Sequence, residues 1–308
     1  MMEDFGVIIA TYKGDYSFTK GCCASVRYFL GDVPICLIID GTFSVQPLEK
    51  AYGVRVINRS NVAHKVLAEK SFGWGLTKMI AFWESPWKDF LYLDADTVVW
   101  GDILKFANFK DFDIIIDKPC YNYSDDEISQ WFFNTEKIKT YFPGFNWQNR
   151  PYFCSGTFFA KRDIFSVDEY LELLELQIKE PKLFYPGEQG FLNLMIFRAA
   201  DEGRIRLGHE DMQLIVSDFP LEQLRKRFPI EKTGPVSKES TVIHWSGKKP
   251  FLSRSQVFSS PMNFFRRKFL QDAWHQSGLI AELLLQFEDF NMYKKKLQRR
   301  LLSGFSTS

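Results

Sequence analysis

The chain has 308 residues, of which 45% are hydrophobic, 25% charged and 17% aromatic, with a formal net charge of +1. That balance is ordinary for a globular protein and leaves no global electrostatic case for a nucleic-acid partner. Five cysteines without a CxxC spacing indicate neither a zinc knot nor a disulfide framework. The apolar part of the acidic opening stretch MMEDFGVIIATYKG is too short for a signal peptide or a membrane span. The expectation is a reducing, cytoplasmic location.

In chain order, FGVIIATYKG (5–14), VPICLIIDG (33–41) and GVRVINRS (53–60) are short apolar runs ended by turn residues, the pattern of buried strands. YSFTKGCCASVRYFL between the first two reads as a helix. This alternation predicts an α/β fold with a mostly parallel sheet flanked by helices, in which ligands bind at the carboxyl ends of the strands. Leu76, Met79, Ile80 and Trp83 recur on one face of a helix stopped at Ser85-Pro86, with Lys78 off that face. From about residue 105 to 151 no clear periodicity appears, and rings are frequent: Tyr121, Tyr123, Trp131, Phe132, Phe133, Phe142, Phe145 and Trp147. A connection of that length is either functional or contains further elements. PYFCSGTFFAKRD is a further strand. Ser166 and Glu169 have the spacing of a capping box for a helix reaching Ile178. GEQGFLNLMIF opens another helix, with Glu188 and Gln189 in its first turn, and STVIHWSGKKPF is a strand followed by a polar turn. The expected division is a main domain over 1–255, with an aromatic-rich insert at about 105–151, and a helical, basic and aromatic appendage over 256–308.

DFLYLDADTVVWGDI (89–103) is the most informative stretch. Its apolar strand ends in two carboxylates, Asp94 and Asp96, which are costly at a buried position unless paired or bound to metal. At a strand end both can reach one cation, and an all-oxygen site suits Mg²⁺ or Mn²⁺. Such an ion neutralises charge on a departing diphosphate. The pattern alone is equally compatible with Asp94 capping a turn and Asp96 pairing with a lysine.

GLTKMIAFWESPWKDFLYLDADTVVWGDILKF resembles the core of the family-8 retaining glycosyltransferases, which include glycogenin and bacterial lipopolysaccharide galactosyl- and glucosyltransferases. FCSGTFFAKRDIF, GEQGFLN and VIHWSGKKPF are similar to three later blocks of that family and occur in its order. VIIATYKGDYSFTKGCCASVRYFL is similar to its opening strand and nucleotide-binding turn. The resemblance spans about residues 5–251 and implies a GT-A fold, a UDP-sugar donor, and transfer with retention of anomeric configuration. It implies that Asp94, Asp96 and His244 hold Mn²⁺ (or Mg²⁺). Lys249 and the Gly247 backbone would contact the diphosphate. Ala10, Thr11 and Tyr16 would frame the uridine, Tyr16 by stacking on the base. Lys78, Ala95, Ser155 and Gly156 would lie around the donor sugar and phosphate. Gln189 stands nearest to where a nucleophile is required, and Glu188 and Asp96 complete the implied catalytic set. Cys154 stands at the family's usual Asn, Glu188 at its usual Asp, and the last block is one residue short before Lys249.

Two other functions remain open at this level. A nucleotidyltransferase also uses paired carboxylates, but it requires a glycine-rich basic loop after the first strand, and TYKGDYSFTKG is a poor version of one. A sugar-nucleotide- or carbohydrate-binding protein with a decayed site would accommodate Cys154 and Glu188. The acceptor is expected to be a saccharide or glycolipid, with Trp131, Phe133 and Trp147 as candidate rings for an acceptor cleft. The tail, with five basic residues among the seven from Lys294 to Arg300, suggests peripheral contact with the anionic inner face of a membrane.

Overall fold

The computed structural model describes residues 4–304 apart from Trp74, Cys120, Tyr185, Pro186, Lys248 and residues 252–255. The side chains of 218, 221, 256–258 and 295–304 also lie outside the described set.

The elements run β1 (Phe5–Tyr12), α1 (Tyr16–Leu30), β2 (Ile35–Asp40), α2 (Gln46–Tyr52), β3 (Arg55–Asn58) and α3 (Lys65–Lys70). A 3₁₀ turn over Leu76–Ile80 leads into α4 (Ala81–Glu84), β4 (Asp89–Asp94) and β5 (Thr97–Trp100). Next come β6 (Ile114–Asp117), α5 (Asp125–Trp131), α6 (Thr135–Tyr141), β7 (Thr157–Lys161), α7 (Val167–Lys179) and α8 (Gln189–Asp201). The chain continues with β8 (Leu207–Glu210), β9 (Gln213–Ile215), α9 (Leu221–Arg227), the pair β10 (Ile230–Glu231) and β11 (Gly234–Pro235), β12 (Thr241–His244), α10 (Gln256–Trp274) and α11 (Gly278–Gly304).

Seven strands form the main sheet in the order β3-β2-β1-β4-β7-β6-β8. It is parallel, as expected, except at β7, which runs against both β4 and β6. β1, β2 and β4 are near-continuous apolar runs because helices cover both faces of the sheet, and Val7, Ile8, Leu37, Ile38, Leu91 and Tyr92 are wholly buried. A second sheet, β5-β12-β9, sets β12 antiparallel to β5 and parallel to β9.

Several sequence expectations change form. The stretch 105–151 contains β6, an inner strand of the sheet, and the helices α5 and α6. Ser166 does cap α7, but through the backbone N–H of Asp168, and no reciprocal bond from Glu169 forms. The Glu169 carboxylate instead accepts both guanidinium N–H groups of Arg204, at 3.0 Å each. A capping box does occur at α5, between Ser124 and Glu127. The C-terminal helices enter the same core as β1 and α1, through Met262, Phe265, Phe269 and Leu285. α10 lies close against α1 at Gly21, where an added Cβ would come within 2.5 Å of the Met262 sulfur.

Candidate active site

The carboxyl ends of β1 and β4 open into a cavity of about 320 Å³. β1 supplies Ala10, Thr11 and Tyr12, and Asp15 follows at the turn into α1. β4 ends on Asp94. The chain then turns through Ala95 and Asp96 into β5, and the Thr97 hydroxyl donates to the Asp94 carbonyl at 2.8 Å, which fixes the turn. The β5–β12 register pairs His244 with Thr97, so the imidazole arrives beside Asp96. The Trp245 N–H donates to the Asp96 carbonyl at 3.1 Å and locks that approach. β7 runs the other way, and Cys154 and Ser155 at its amino end therefore meet the same cavity. Glu188 and Gln189 enter with the first turn of α8.

Charge is unusually dense here. Lys78, only 5% exposed, donates to Asp94 at 3.1 Å and to Glu188 at 2.7 Å, and also to the Ser155 hydroxyl at 3.1 Å. Burial alone lowers the affinity of its amine for a proton, but the carboxylates of Asp94 and Glu188 outweigh burial and hold it charged. Tyr92 donates its hydroxyl to Asp94 at 2.7 Å. Lys249 donates to Asp96. Burial raises the pKa of Asp96, yet His244 and Lys249 overcome it and hold the carboxyl well below the usual range. Asp15 is pushed up to about 6 by burial, opposed by Lys249 and reinforced by Asp96 and Asp94. For His244, burial lowers the pKa while Cys154 and Asp96 raise it further, to about 10. The chain's own lysines and imidazole thus offset most, though not all, of the negative charge of the four acids.

Ligand atoms of Asp94, Asp96 and His244 all lie within 4.8 Å of one another. Two carboxylate oxygens and an imidazole nitrogen suit a hard-to-borderline divalent ion, and the imidazole favours Mn²⁺ over Mg²⁺. The residues present therefore fit such an ion.

Most of the residues singled out in the sequence meet in this cavity: Ala10, Thr11, Lys78, Asp94, Ala95, Asp96, Ser155, Glu188, Gln189, His244, Gly247 and Lys249 all line it. Two do not behave as expected. The Tyr16 ring packs edge-on against Phe43, with centroids 5.5 Å apart, and its buried hydroxyl has no hydrogen-bond partner among the described residues. The tyrosines that line the cavity are Tyr12 and Tyr92. Gly156 lies beneath the site, where an added Cβ would approach the His244 ring to 2.3 Å. Among the candidate acceptor rings, Phe133 is fully buried core, Trp147 is partly buried, and Trp131 is 46% exposed. The Gln189 amide donates to the Trp131 carbonyl at 3.4 Å. Sequence reading missed Tyr12, Asp15, Asp40 and Gln213. For Asp15 a signal existed, an acid at the turn between the first strand and its helix.

The chain matches no protein-family model and no curated protein. Solved structures do resemble it. One is the galactosyltransferase LgtC in complex with donor and acceptor sugar analogues, 14% identical, covering 89% of this chain and 97% of its own, with a TM-score of 0.55. The glycosyltransferase GlyE of Streptococcus pneumoniae TIGR4 is 14% identical, covers 96% of this chain and 64% of its own, and gives a TM-score of 0.52. The bifunctional glycosyltransferase WbbM is 12% identical, with coverages of 88% and 51% and a TM-score of 0.53. The chain has the GT-A fold of these glycosyltransferases.

Proposed function

We propose that this protein is a metal-dependent glycosyltransferase that moves a sugar from a UDP-sugar to a saccharide or lipid-linked acceptor, with retention of anomeric configuration. The observation that carries the reading is the convergence of Asp94 and Asp96 on one turn with His244 from β12, in one cavity at the carboxyl ends of the strands. Binding there is expected for an open α/β sheet.

A bound divalent ion would supply charge neutralisation on the departing diphosphate. Lys249 and the Gly247 backbone would bind that diphosphate, and Ala10, Thr11 and Tyr12 would frame the nucleoside. Lys78, kept charged by two carboxylates, would fix the donor sugar or its phosphate. Glu188 would orient donor hydroxyls or the acceptor. Gln189 carries a carboxamide, a poor nucleophile, so acceptor attack from the face the diphosphate leaves is the preferred route to retention. The test is thermal unfolding with UDP, with Mn²⁺, with both, and with ADP as control. Ligand at about 100 times its Kd adds about 2.7 kcal/mol. Stabilisation by UDP that requires Mn²⁺ and disappears in Asp96→Asn is the expected outcome. No shift with either nucleotide would return the chain to the decayed binding-protein reading.

The same reading includes a cytoplasmic enzyme touching an anionic membrane through its C-terminus. No helix among the described residues is long and apolar enough to cross a membrane. Of the basic run, side chains beyond Lys294 lie outside the described residues. The support is a row of exposed apolar residues on α11: Leu279, Ile280, Leu283, Phe287 and Phe290. Co-sedimentation with anionic but not neutral vesicles, lost in Leu283→Glu/Phe287→Glu, is expected. Binding unaffected by that double substitution would remove the tail from the account.

A further inference from the structure

Gln213 was not anticipated from the sequence, yet it is the side chain best placed to govern His244. It sits on β9 at 8% exposure, paired with Val242 in the parallel β9–β12 register. Residues two apart on a strand share a face, so the side chains of Gln213 and His244 project to the same side on a diagonal. The Gln213 Oε1 lies 3.0 Å from His244 Nδ1, and its Nε2 donates to the Cys154 carbonyl at 3.0 Å. That second bond settles the first. A backbone carbonyl only accepts, so the amide must turn its NH₂ toward Cys154 and its oxygen toward the imidazole. An oxygen facing Nδ1 requires a proton on Nδ1. The neutral imidazole is then left with its lone pair on Nε2, the nitrogen that lies 3.5 Å from Asp96 and 3.9 Å from Asp94.

The surroundings hold this arrangement rigid. The Gln213 backbone N–H donates to Asp117 Oδ1 at 2.8 Å, which anchors the start of β9 to the end of β6. Gly156 forms a floor under the pair: a Cβ there would come within 2.3 Å of the His244 ring and 2.8 Å of Gln213 Oε1. Cys154 Sγ, at 3.6 Å from Nδ1, is the longer and weaker alternative partner.

We infer that Gln213 is a positioning residue for a divalent cation, fixing His244 in the Nδ1–H tautomer so that Nε2 joins Asp94 and Asp96 as a ligand. Partners that orient a metal-binding imidazole through its second nitrogen typically govern affinity by about 10–100-fold. This rests on the metal-site reading above, and its test separates the two. Mn²⁺ binding, without nucleotide or acceptor, is followed by the electron paramagnetic resonance of the free ion in wild type, Gln213→Leu and Gln213→Glu. The His244 tautomer is read from side-chain ¹⁵N shifts of the metal-free protein, above the pH of about 10 at which the imidazole loses its second proton. Gln213→Leu should weaken Mn²⁺ by about 10–100-fold and lose the single Nδ1–H signature while keeping the wild-type circular dichroism spectrum. Gln213→Glu retains an acceptor for Nδ1–H and should recover most of the affinity, whereas a purely volume-filling role would leave Gln213→Leu, of similar size, at wild-type affinity. Wild-type affinity and tautomer in Gln213→Leu would overturn the inference and leave the metal site standing. Absence of Mn²⁺ binding in wild type would remove both.

Discussion

Two clusters of buried charge among the described residues differ in kind. At the cavity, Lys78, Lys249 and His244 face Asp15, Asp94, Asp96 and Glu188 across a space open to a ligand. Between α1, α10 and α11, Lys20 and Arg266 meet Glu288 and Asp289 outside that cavity. Arg266, 1% exposed, donates to Asp289 at 2.8 Å and to Glu288 at 3.2 Å, while Ser17 and Lys20 also donate to Glu288. The second cluster joins the C-terminal helices α10 and α11 to α1. Burial of charge therefore does not identify a functional site here. What marks the first is the cavity beside its charges and its position at strand carboxyl ends.

Substitutions can break that contrast or sharpen it. The largest effect is expected at the cavity: Asp96→Asn should lower the transferase rate by about 10²–10³-fold, measured as sugar transfer from UDP-sugars to candidate acceptors. Arg266→Met should do the opposite. Removing one member of a buried ion network costs about 3–5 kcal/mol, visible as a lowered urea midpoint, while the additional stabilisation by UDP and Mn²⁺ stays intact. If that stabilisation vanished as well, the second cluster would have to be counted as part of the site.

A pH profile tests how Asp117 anchors β9. Burial pushes its pKa up to about 7, although the N–H groups of Met212 and Gln213 pull it down. The folded value lies above the ordinary 3.8, so the protonated form is the one folding favours. Its contribution is complete below about 3.8 and is lost as pH rises through about 7. Relative to Asp117→Asn, wild type should lose thermal stability steadily over that window, and parallel profiles would show that the site is better solvated than its burial implies. The smallest effect concerns the aromatic stretch. Trp131→Ala, at an exposed position, should change stability by no more than about 0.5 kcal/mol and raise the acceptor KM. Phe133→Ala should cost about 3–5 kcal/mol and leave the acceptor KM alone. An unchanged KM in Trp131→Ala would place the acceptor elsewhere.

The contrast also explains what could be read in the sequence. Strands β1, β2 and β4 and the Asp94–Asp96 pair were legible because each is a local pattern: an apolar run, then a carboxylate where apolar residues should continue. The run Ile114–Ile116 offered the same signal for β6, but it was hidden among the rings and turns around it. Arg266 and Glu288 carried none, since a charge within a helix ordinarily faces water. Their burial depends on two helices meeting a third. Gln213 was equally silent, because its role comes from a strand pairing and a carbonyl 59 residues away in sequence. Tyr16 was misplaced because two tyrosines flank the turn, and only the backbone decides which ring faces the cavity.

The clasp between Lys249 and Asp96 spans a sequence separation of 153 residues. Contacts that close so long a stretch of chain tend to form late in folding, because the entropy of closure must be met first. The proposed cation site would therefore mature with the joining of β12 to β5. A refolding chain would acquire its helices and much of its sheet before it could take up Mn²⁺. On that proposal, metal uptake during refolding would be a clock for the final assembly of the two sheets, independent of any catalytic assay.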